Sequence, residues 1–455
     1  MAEAWQTSNL DHLDNLISSL RCTTDLGVSS TEYLFSSFDR RMGISFLRRR
    51  GLYSDPSLQT RLDAFAPYAH QVAFFLNPRR FRNSFLHIGG SDELPAALLS
   101  SQEDNFLSHA LKTATTILSS THRLKILHGI QTETLLSQYF LHKGRLLEAQ
   151  YHLSTAVSYV VLGDLANFRR TGGSGSFKSS ILVQDCIEEG EAVIAFWTVF
   201  SMDKMLSSSL DFPSNFPSQS QNAVQVDTPW PLEMEHYERN QVPPQIHPTH
   251  TVQRFVDGVE GDNHVVSCLA ILAKSAILLA EAAVMARQWR PNMTPAETNA
   301  FLQPFMRLNK RITSFRDSLP PPNSLAACTA AAKPRMILAY TIAHAASIQL
   351  NRIFIAVNPR CREVCLTACM SIVWIVRAAS LRNVTYVNPI LGSLWSTTSQ
   401  ILNQEIIRLR AIPNTGAIIA DLKSASDDVV ASLAHFSKDC PFMLYQAGQL
   451  GSHGH

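Results

Sequence analysis

The chain of 455 residues is 45% hydrophobic and 17% charged, and 39 basic against 37 acidic residues leave a formal net charge of +2. This length is enough for one large or two ordinary domains with a substantial core. The near-balance of charge argues against nucleic-acid binding by the whole surface, which needs a larger basic excess, but it leaves room for a local basic patch.

Residues 1–30 are predicted to form a linker that contains a short heptad segment. Leu10, Leu13, Ile17 and Leu20 recur at heptad spacing, but about two heptads are too few to predict a coiled coil. The polar, acidic start lacks the apolar core of a signal peptide. We therefore expect a soluble, intracellular protein.

Two arginine clusters follow the linker. Five arginines lie within residues 40–50 and alternate with apolar residues. This pattern is typical of a helix with one buried and one solvated face, which we favour over a nuclear import signal or a phosphate-contacting patch. The second cluster, Arg79, Arg80 and Arg82, is expected to form local salt bridges and caps.

Helical periodicity dominates the rest of the chain and strand-like alternation is scarce, which predicts an all-α fold. We expect a large helical bundle or array of about ten helices with one long proline-rich connection. The connection covers 211–250, and a glycine- and histidine-containing flexible tail covers 441–455. The predicted helical segments are 103–118, 124–141, 145–163, 182–208, 251–286, 295–319, 325–357, 360–382, 390–409 and 418–436.

The best membrane candidate is the apolar stretch 264–286. It carries Lys274 and Glu281, which lie two helical turns apart on one face. Polar residues restricted to one face indicate an amphipathic helix packed in a core and not a membrane span. No membrane partner is expected.

Three cysteines recur every four residues and would line one face of a helix: Cys361, Cys365 and Cys369. Metal sites usually need closely paired cysteines and a fourth ligand, and none is evident nearby. We predict that they are small core residues and not a metal or redox site. Reduced thiols fit a cytosolic or nuclear protein.

The histidines offer no convincing site. His247, His250, His453 and His455 lie in proline-rich or terminal segments, where we predict no metal site. His344 is expected to be a hydrogen-bonded core histidine and not a catalytic base.

Familiar catalytic motifs are also missing. The glycine-serine stretch 171–180 lacks the preceding apolar strand of a phosphate-binding loop and is interpreted as a linker. The sequence contains no nucleophile elbow, zinc-protease helix or kinase signature. We predict no catalytic residue, no cofactor-binding residue and no enzyme activity.

One stretch is distinctive: EEGEAVIAFWTVFSMDKMLSSSLDFPSNF, residues 188–216, followed by VQVDTPWP at 224–231. It resembles the middle homology region of fungal zinc-cluster transcription factors, and its style is similar to that of basidiomycete members. The matching positions are Glu188, Glu189, Gly190, Glu191, Phe196, Trp197, Phe200, Asp203, Lys204, Pro213, Asp227, Pro229 and Pro231.

Further segments resemble other helices of that family, in order along the chain: 65–81, 135–165, 336–354 and 365–381. The resemblance implies that 31–440 form the regulatory, or middle homology, domain of a nuclear transcription factor. It would modulate transcription by RNA polymerase II. The implied partners are zinc-cluster factors in homo- or heterodimers, transcriptional co-regulators and a small-molecule effector.

Departures from the family pattern limit these implications. The family's DNA-binding module holds zinc through six cysteines, whereas this chain has only Cys22 before residue 186. The zinc-cluster module is therefore absent from this chain, and no zinc cofactor is expected in it. DNA would be bound only weakly or indirectly. Lys204 replaces the usual arginine, and Asp211-Phe212 replace the usual glycine before the motif proline.

The residues themselves predict a structural role for the motif. Phe196, Trp197 and Phe200 belong to an apolar stripe at helical spacing. A carboxylate at the end of a buried helix needs a partner, so Asp203 is expected to cap or pair with the loop that it faces. Pro213 and the strip 227–231 would then pin the long connection to the helices. Catalysis by Asp203 is disfavoured because no second acid or base accompanies it.

Two other classes of protein remain as alternatives. The hairpin at 135–165 has the small-residue spacing of a tetratricopeptide-like unit, which would suit a helical-repeat scaffold or adaptor without a DNA-related role. A true array would repeat the unit every 34 residues or so, and the flanking sequence does not. An all-α enzyme with an apolar substrate would need a polar constellation in the core that the sequence does not reveal.

Overall fold

A computed structural model describes residues 69, 72–81, 103–119, 122–168, 181, 183–217, 225–242, 250–259, 267–321, 325, 328–329, 332–379, 381, 384 and 386–452. Several features predicted from the sequence lie outside these residues. They are the heptad segment, the arginines of 40–50, Arg82, the glycine-serine stretch 171–180, His247, His453 and His455.

The described residues form helices joined by turns and extended segments, and they contain no strand, so the all-α prediction is confirmed. The α-helices are α1 (Glu103–Thr116), α2 (Lys125–His142), α3 (Leu146–Leu162), α4 (Cys186–Ser209), α5 (Met234–Glu238), α6 (Thr251–Asp257), α7 (Cys268–Gln288), α8 (Pro295–Ser318), α9 (Ala332–Asn351), α10 (Pro359–Ala378), α11 (Leu391–Leu409), α12 (Gly416–Ser437) and α13 (Pro441–Ser452).

Polar side chains cap the starts of α4, α7, α8 and α10. Asp185 accepts hydrogen bonds from the first turn of α4, and Ser267 does the same for α7. Thr294 forms a reciprocal capping box with Glu297 at the start of α8, and Asn358 caps α10. Each cap satisfies backbone N–H groups that have no partner inside the helix, which sets where the helix begins.

Several predicted boundaries differ from the structure; the predicted segment 325–357, for example, contains α9 only over Ala332–Asn351. The helical segment 251–286 is divided into α6 and α7, because Gly258 has a φ of +74° and ends α6 in the left-handed region. The connection 211–250 contains the five-residue helix α5, which is too short to produce a periodic pattern in the sequence.

The predicted flexible tail 441–455 is wrong for residues 441–452, which form α13. Phe442 and Met443 are each only 1% exposed, and the helix contacts α2, α11 and α12. The segment 441–452 has one short apolar cluster followed by glycines, so its sequence shows only weak helical periodicity. The tertiary contacts order this segment, and its local sequence does not.

Helix α4 lies at the centre of the fold. Every residue from Glu188 to Ser208 is buried, and the helix contacts α2, α3, α5 and α7. A helix covered on all sides has no solvated stripe, which explains its nearly continuous apolar sequence. The charged residues at its two ends are therefore buried too and require partners.

Helix α7 has the length and apolar composition of a membrane span, but 78% of its most apolar window is buried within the fold. It packs along α9 and contacts α4. Lys274, half-buried, holds its ammonium 4.7 Å from the centre of the Trp230 ring. The prediction of an amphipathic core helix is confirmed.

The cysteine face of α10 is in the core, as predicted. Cys365 and Cys369 are fully buried and Cys361 nearly so. Burial raises the pKa of Cys365 to about 12, which keeps the thiol protonated. Among the described residues no group of three or more His, Cys, Asp or Glu side chains is placed to hold a metal ion.

His344 differs from its prediction in one respect. Its buried Nδ1 has no hydrogen-bond partner in the part of the chain that the structure describes, so it is not a satisfied core histidine there. Burial, together with the nearby charge of Arg316, lowers its pKa to about 3. The imidazole is therefore neutral at physiological pH.

Candidate functional site

The candidate site is α4 with the polar groups at its two ends. At the C-terminal end, Asp203 binds the loop that follows the helix. Its Oδ2 accepts hydrogen bonds from Ser214 Oγ at 2.6 Å and Phe216 N at 3.3 Å. Its Oδ1 accepts from Asn215 N at 2.9 Å and Asn215 Nδ2 at 2.8 Å. The predicted pairing of Asp203 with its loop is confirmed.

Lys204 fastens the same loop from the next position on the helix. Its Nζ donates a hydrogen bond to the carbonyl oxygen of Phe216 and lies 5.3 Å from the centre of the Phe200 ring. Burial lowers the pKa of Lys204, while the charges of Asp203 and Glu281 oppose this shift. Asp203 and Lys204 together hold the loop by its polar groups.

Aromatic contacts close the loop over the helix. The Phe216 ring lies 5.1 Å from that of Phe200 and 6.3 Å from that of Phe196. The carbonyl oxygen of Pro213 accepts a hydrogen bond from Gln150 on α3 at 3.4 Å. The start of the connection is thus attached to both α4 and α3.

The strip 227–231 attaches the connection a second time. The backbone N–H groups of Asp227 and Thr228 both donate to the carbonyl oxygen of Ala166, at 2.8 and 3.1 Å. Asp227 Oδ1 accepts from the backbone N–H of His250 at 2.7 Å. His250, considered above as a metal ligand, instead begins α6 with a φ of +57°.

Trp197 joins this strip to the middle of α4. Its Nε1 donates to the carbonyl oxygen of Pro229 at 2.6 Å, and its ring stacks on that of Trp230 at 4.3 Å. The carbonyl oxygen of Pro231 accepts from Ser267 Oγ at 2.6 Å, at the start of α7. The motif prolines therefore bind the connection to α4 and to α7.

At the N-terminal end of α4, an ion-pair cluster joins three segments. Arg80 makes a two-pronged pair with Asp185, at 3.0 and 2.8 Å. Arg123 pairs with both carboxylate oxygens of Glu188, whose Oε2 also accepts from the backbone N–H of Gln184 at 2.8 Å. These bonds lower the pKa of Asp185 and of Glu188 despite burial.

The arginine cluster at 79–82 therefore contributes to this site where the structure describes it. Asn77 Oδ1 accepts from the backbone N–H groups of Arg79 and Arg80, at 3.1 and 3.0 Å. The expected local cap is confirmed at the backbone of Arg80, but its salt bridge is not local, because its partner Asp185 lies 105 residues away. Arg123 was missed, since nothing in its own neighbourhood signals a partner 65 residues away. Asp185 carried a usable signal, because it directly precedes the helical run.

Glu191 is buried with one backbone donor, Asn77 N, at 2.7 Å. Burial raises its pKa to about 7, and the negative charges of Glu188 and Asp185 act in the same direction. The Asn77 hydrogen bond and the charge of Arg80 oppose the shift. The folded state thus holds a proton on Glu191 more tightly than the unfolded state, in which the pKa is near 4.5.

This shift predicts a pH-dependent stability. Glu191 costs no stability below pH 4.5, and its cost grows as pH rises from 4.5 to 7. Glu191→Gln should be more stable than wild type by about 1 kcal/mol at pH 8 and equal to it near pH 4. The difference at pH 8 is smaller than the pKa shift alone implies, because the folded protein relaxes around the buried charge. Urea unfolding across this pH range measures the difference. Parallel pH profiles for the two proteins would contradict the prediction.

Gly190 allows α5 to approach α4. A Cβ atom at Gly190 would lie 2.5 Å from Tyr237 Cγ and 2.6 Å from Tyr237 Cδ2. Tyr237 is itself only 3% exposed. The glycine of the motif therefore has a packing reason that the sequence did not reveal.

A buried histidine–carboxylate pair joins α2 and α3. His152 Nδ1 lies 2.6 Å from Glu133 Oε2, and both side chains are less than 10% exposed. The His152 ring stacks on Phe140 at 5.2 Å. The sequence pattern gives no sign of this pair, because its members lie on different helices. Its position inside the hairpin suits helix alignment better than catalysis.

Comparison with family models, with curated proteins and with solved structures finds no match for this chain. The geometry accounts for the motif without a family assignment. Asp203 and Lys204 hold the start of the connection, and Trp197 holds Pro229. Gly190 leaves room for Tyr237 of α5. The strip 227–231 is also bonded to Ala166, which follows α3.

Proposed function

We propose that the chain is the regulatory domain of a fungal zinc-cluster type transcription factor and modulates transcription by RNA polymerase II in the nucleus. One observation supports this above others. Positions that match the family motif, although spread from Glu188 to Pro231, meet around one buried helix and fasten one connection. Chance matches along a sequence would not be expected to share a single structural task.

The proposed domain acts through partners. A zinc-cluster factor in a homo- or heterodimer would supply the DNA-binding module, and co-regulators would receive the signal. Zinc would belong to that partner's module. We propose no enzymatic role, because Asp203, the most buried acid of the motif, already accepts four hydrogen bonds from its own loop.

The alternative is a helical-repeat scaffold built on the α2–α3 hairpin. In a repeat array each unit contacts only its neighbours in sequence. Here α4 is enclosed by α2, α3, α5 and α7, and the connection passes over it. This enclosure supports a closed regulatory domain over an open array.

The test is a tethering assay. The chain is fused to an unrelated sequence-specific DNA-binding domain in fungal cells that carry a reporter gene. We expect a reproducible several-fold change in reporter transcription, in either direction, relative to the DNA-binding domain alone. Asp203→Asn should abolish the change, and Asp211→Asn, on the exposed start of the connection, should keep it.

Two results would count against the proposal. A well-expressed nuclear fusion that leaves the reporter unchanged would favour the scaffold. A sequence-specific, salt-resistant complex of the isolated chain with DNA would contradict the expectation that it binds DNA weakly and without preference.

A further inference from the structure

The outward face of α3 is apolar and exposed. Four of its side chains are between 39% and 64% exposed: Leu147, Tyr151, Val161 and Leu162. Single exposed apolar residues are common on protein surfaces, but these four lie on one face of one helix. A surface helix normally carries charged residues on its solvent side, whereas α3 has no acidic or basic residue other than His152 after Glu148. The face therefore has the composition of a contact surface.

The residues of this face follow the spacing of a coiled-coil seam. Positions 147, 151, 154, 158 and 161 are separated alternately by four and by three residues. This alternation averages about 3.5 residues, the repeat that keeps a seam in line with a second helix. Apolar residues occupy both ends of the seam, and serines occupy its middle. Small residues in the middle leave room for the side chains of a partner helix.

The hydroxyl groups of this face tolerate burial. Thr155 Oγ1 donates a hydrogen bond to the carbonyl oxygen of Tyr151 at 3.0 Å, and Ser158 Oγ donates to that of Ser154 at 3.0 Å. Because each donor is already paired within the helix, covering the face would leave neither of them unsatisfied. A partner helix therefore gains apolar contact without a penalty from these groups.

The heptad segment, residues 8–20, has the matching pattern. Its apolar residues are spaced by three, four and three positions: Leu10, Leu13, Ile17 and Leu20. The average repeat is the same as on α3. An isolated helix this short is marginal in water, so the segment needs a second apolar surface.

The chain enters the described fold beside the α2–α3 hairpin. Phe75 N donates to Gln131 Oε1 on α2 at 2.8 Å, and Gln131 Nε2 donates to the carbonyl oxygen of Ala73 at 3.3 Å. Helix α2 packs along α3. Residues 21–68 connect the heptad segment to this point and can span up to about 3.3 Å each, far more than the roughly 26 Å length of α3. The heptad segment can therefore reach the outward face of α3 within its own molecule.

We propose that the heptad segment binds the outward face of α3 in the same molecule. The two apolar seams pack against each other, with the larger side chains of the segment opposite the serines of α3. While the segment is bound, the same apolar residues cannot pair with a second chain. This contact does not depend on the proposed role in transcription, so the tethering assay and the test below can fail separately.

The test is photo-crosslinking of the purified full chain with p-benzoylphenylalanine in place of Tyr151. Equal amounts of unlabelled and isotope-labelled protein are mixed before irradiation. We expect an adduct between position 151 and a peptide from residues 8–20, with both parts carrying the same label. The same replacement at Tyr445 is the control, because Tyr445 is similarly exposed, at 60%, but lies on α13. It should not capture the heptad segment.

A pair of variants assigns the contact to the apolar seam. Ile17→Asp places a charge within the seam and should lower the yield of the adduct about tenfold or more, because the carboxylate would be buried against α3. Ser18→Asp adds the same charge one residue later, outside the seam, and should leave the yield within about twofold. Both substitutions lie outside the helical core, and circular dichroism confirms that each variant is folded.

Three results would overturn the proposal. The first is folded protein in which position 151 captures no peptide from residues 8–20. The second is an adduct that joins a labelled to an unlabelled molecule, which would assign the face of α3 to a second copy of the chain. The third is an adduct that Ile17→Asp leaves unchanged or that Tyr445 forms equally well.

Discussion

Asp203→Asn, which replaces one carboxylate oxygen by an NH₂ group, is expected to lower the free energy of unfolding by about 3 kcal/mol. The carboxylate accepts hydrogen bonds from four donors on Ser214, Asn215 and Phe216. An asparagine presents one NH₂ group to these donors, so at least two of them lose their acceptor inside the fold. The neighbouring buried Lys204 also loses its closest counter-charge. Urea unfolding at pH 7 measures the loss.

Asp211→Asn is the matched control for this prediction. The same exchange eight residues later affects a side chain that is 88% exposed and pairs loosely with Arg287 at 3.6 Å. Asp211 has a φ of +55°, which asparagine also tolerates. Its stability should stay within about 0.5 kcal/mol of wild type. Equal losses for the two variants would show that Asp203 is not a specific anchor.

Gly190→Ala should destabilise the fold by about 2 kcal/mol net. The added methyl would lie 2.5 Å from Tyr237 Cγ, closer than carbon atoms approach without displacement. Tyr237 is buried and cannot simply turn away. A contact this short places the overpacking cost at the upper end of its usual range, about 3 kcal/mol, against a gain of about 1 kcal/mol in helix propensity. Thermal and urea unfolding both report the change.

Gly448→Ala provides the comparison, since this glycine lies within α13 and has nothing within 4 Å of an added Cβ. There the propensity gain acts alone, and stability should rise by about 0.5–1 kcal/mol. A neutral or stabilising Gly190→Ala would mean that α5 does not pack on α4 as the structure has it.

Local sequence pattern predicted much of this fold, and the reason is visible in α4. Its continuous apolar run predicted a buried helix, and its terminal Asp203 predicted a partner in the next loop, because a buried carboxylate must be paired wherever it lies. The four-residue spacing of Cys361, Cys365 and Cys369 likewise placed them on one core face of α10. Such predictions require only that the segment is helical and that its apolar face is buried in a core.

The predictions from sequence failed where a residue's partner lies far away along the chain. Helix α13 was taken for a flexible tail because its order depends on contacts with α2, α11 and α12. His152 was not connected to Glu133, and Arg123 was not connected to Glu188, 65 residues away. No local periodicity encodes which helices will become neighbours.

The sequence by itself determined the helical class, the burial of α4 and the need of its charged ends for partners, since periodicity and the cost of burying charge act locally. Only the tertiary structure decided which groups meet those needs. Asn77 reaches Glu191 across 114 residues, Tyr237 fills the space above Gly190, and Arg123 pairs with Glu188 across 65 residues. These contacts depend on how the helices pack, and packing is a property of the whole chain.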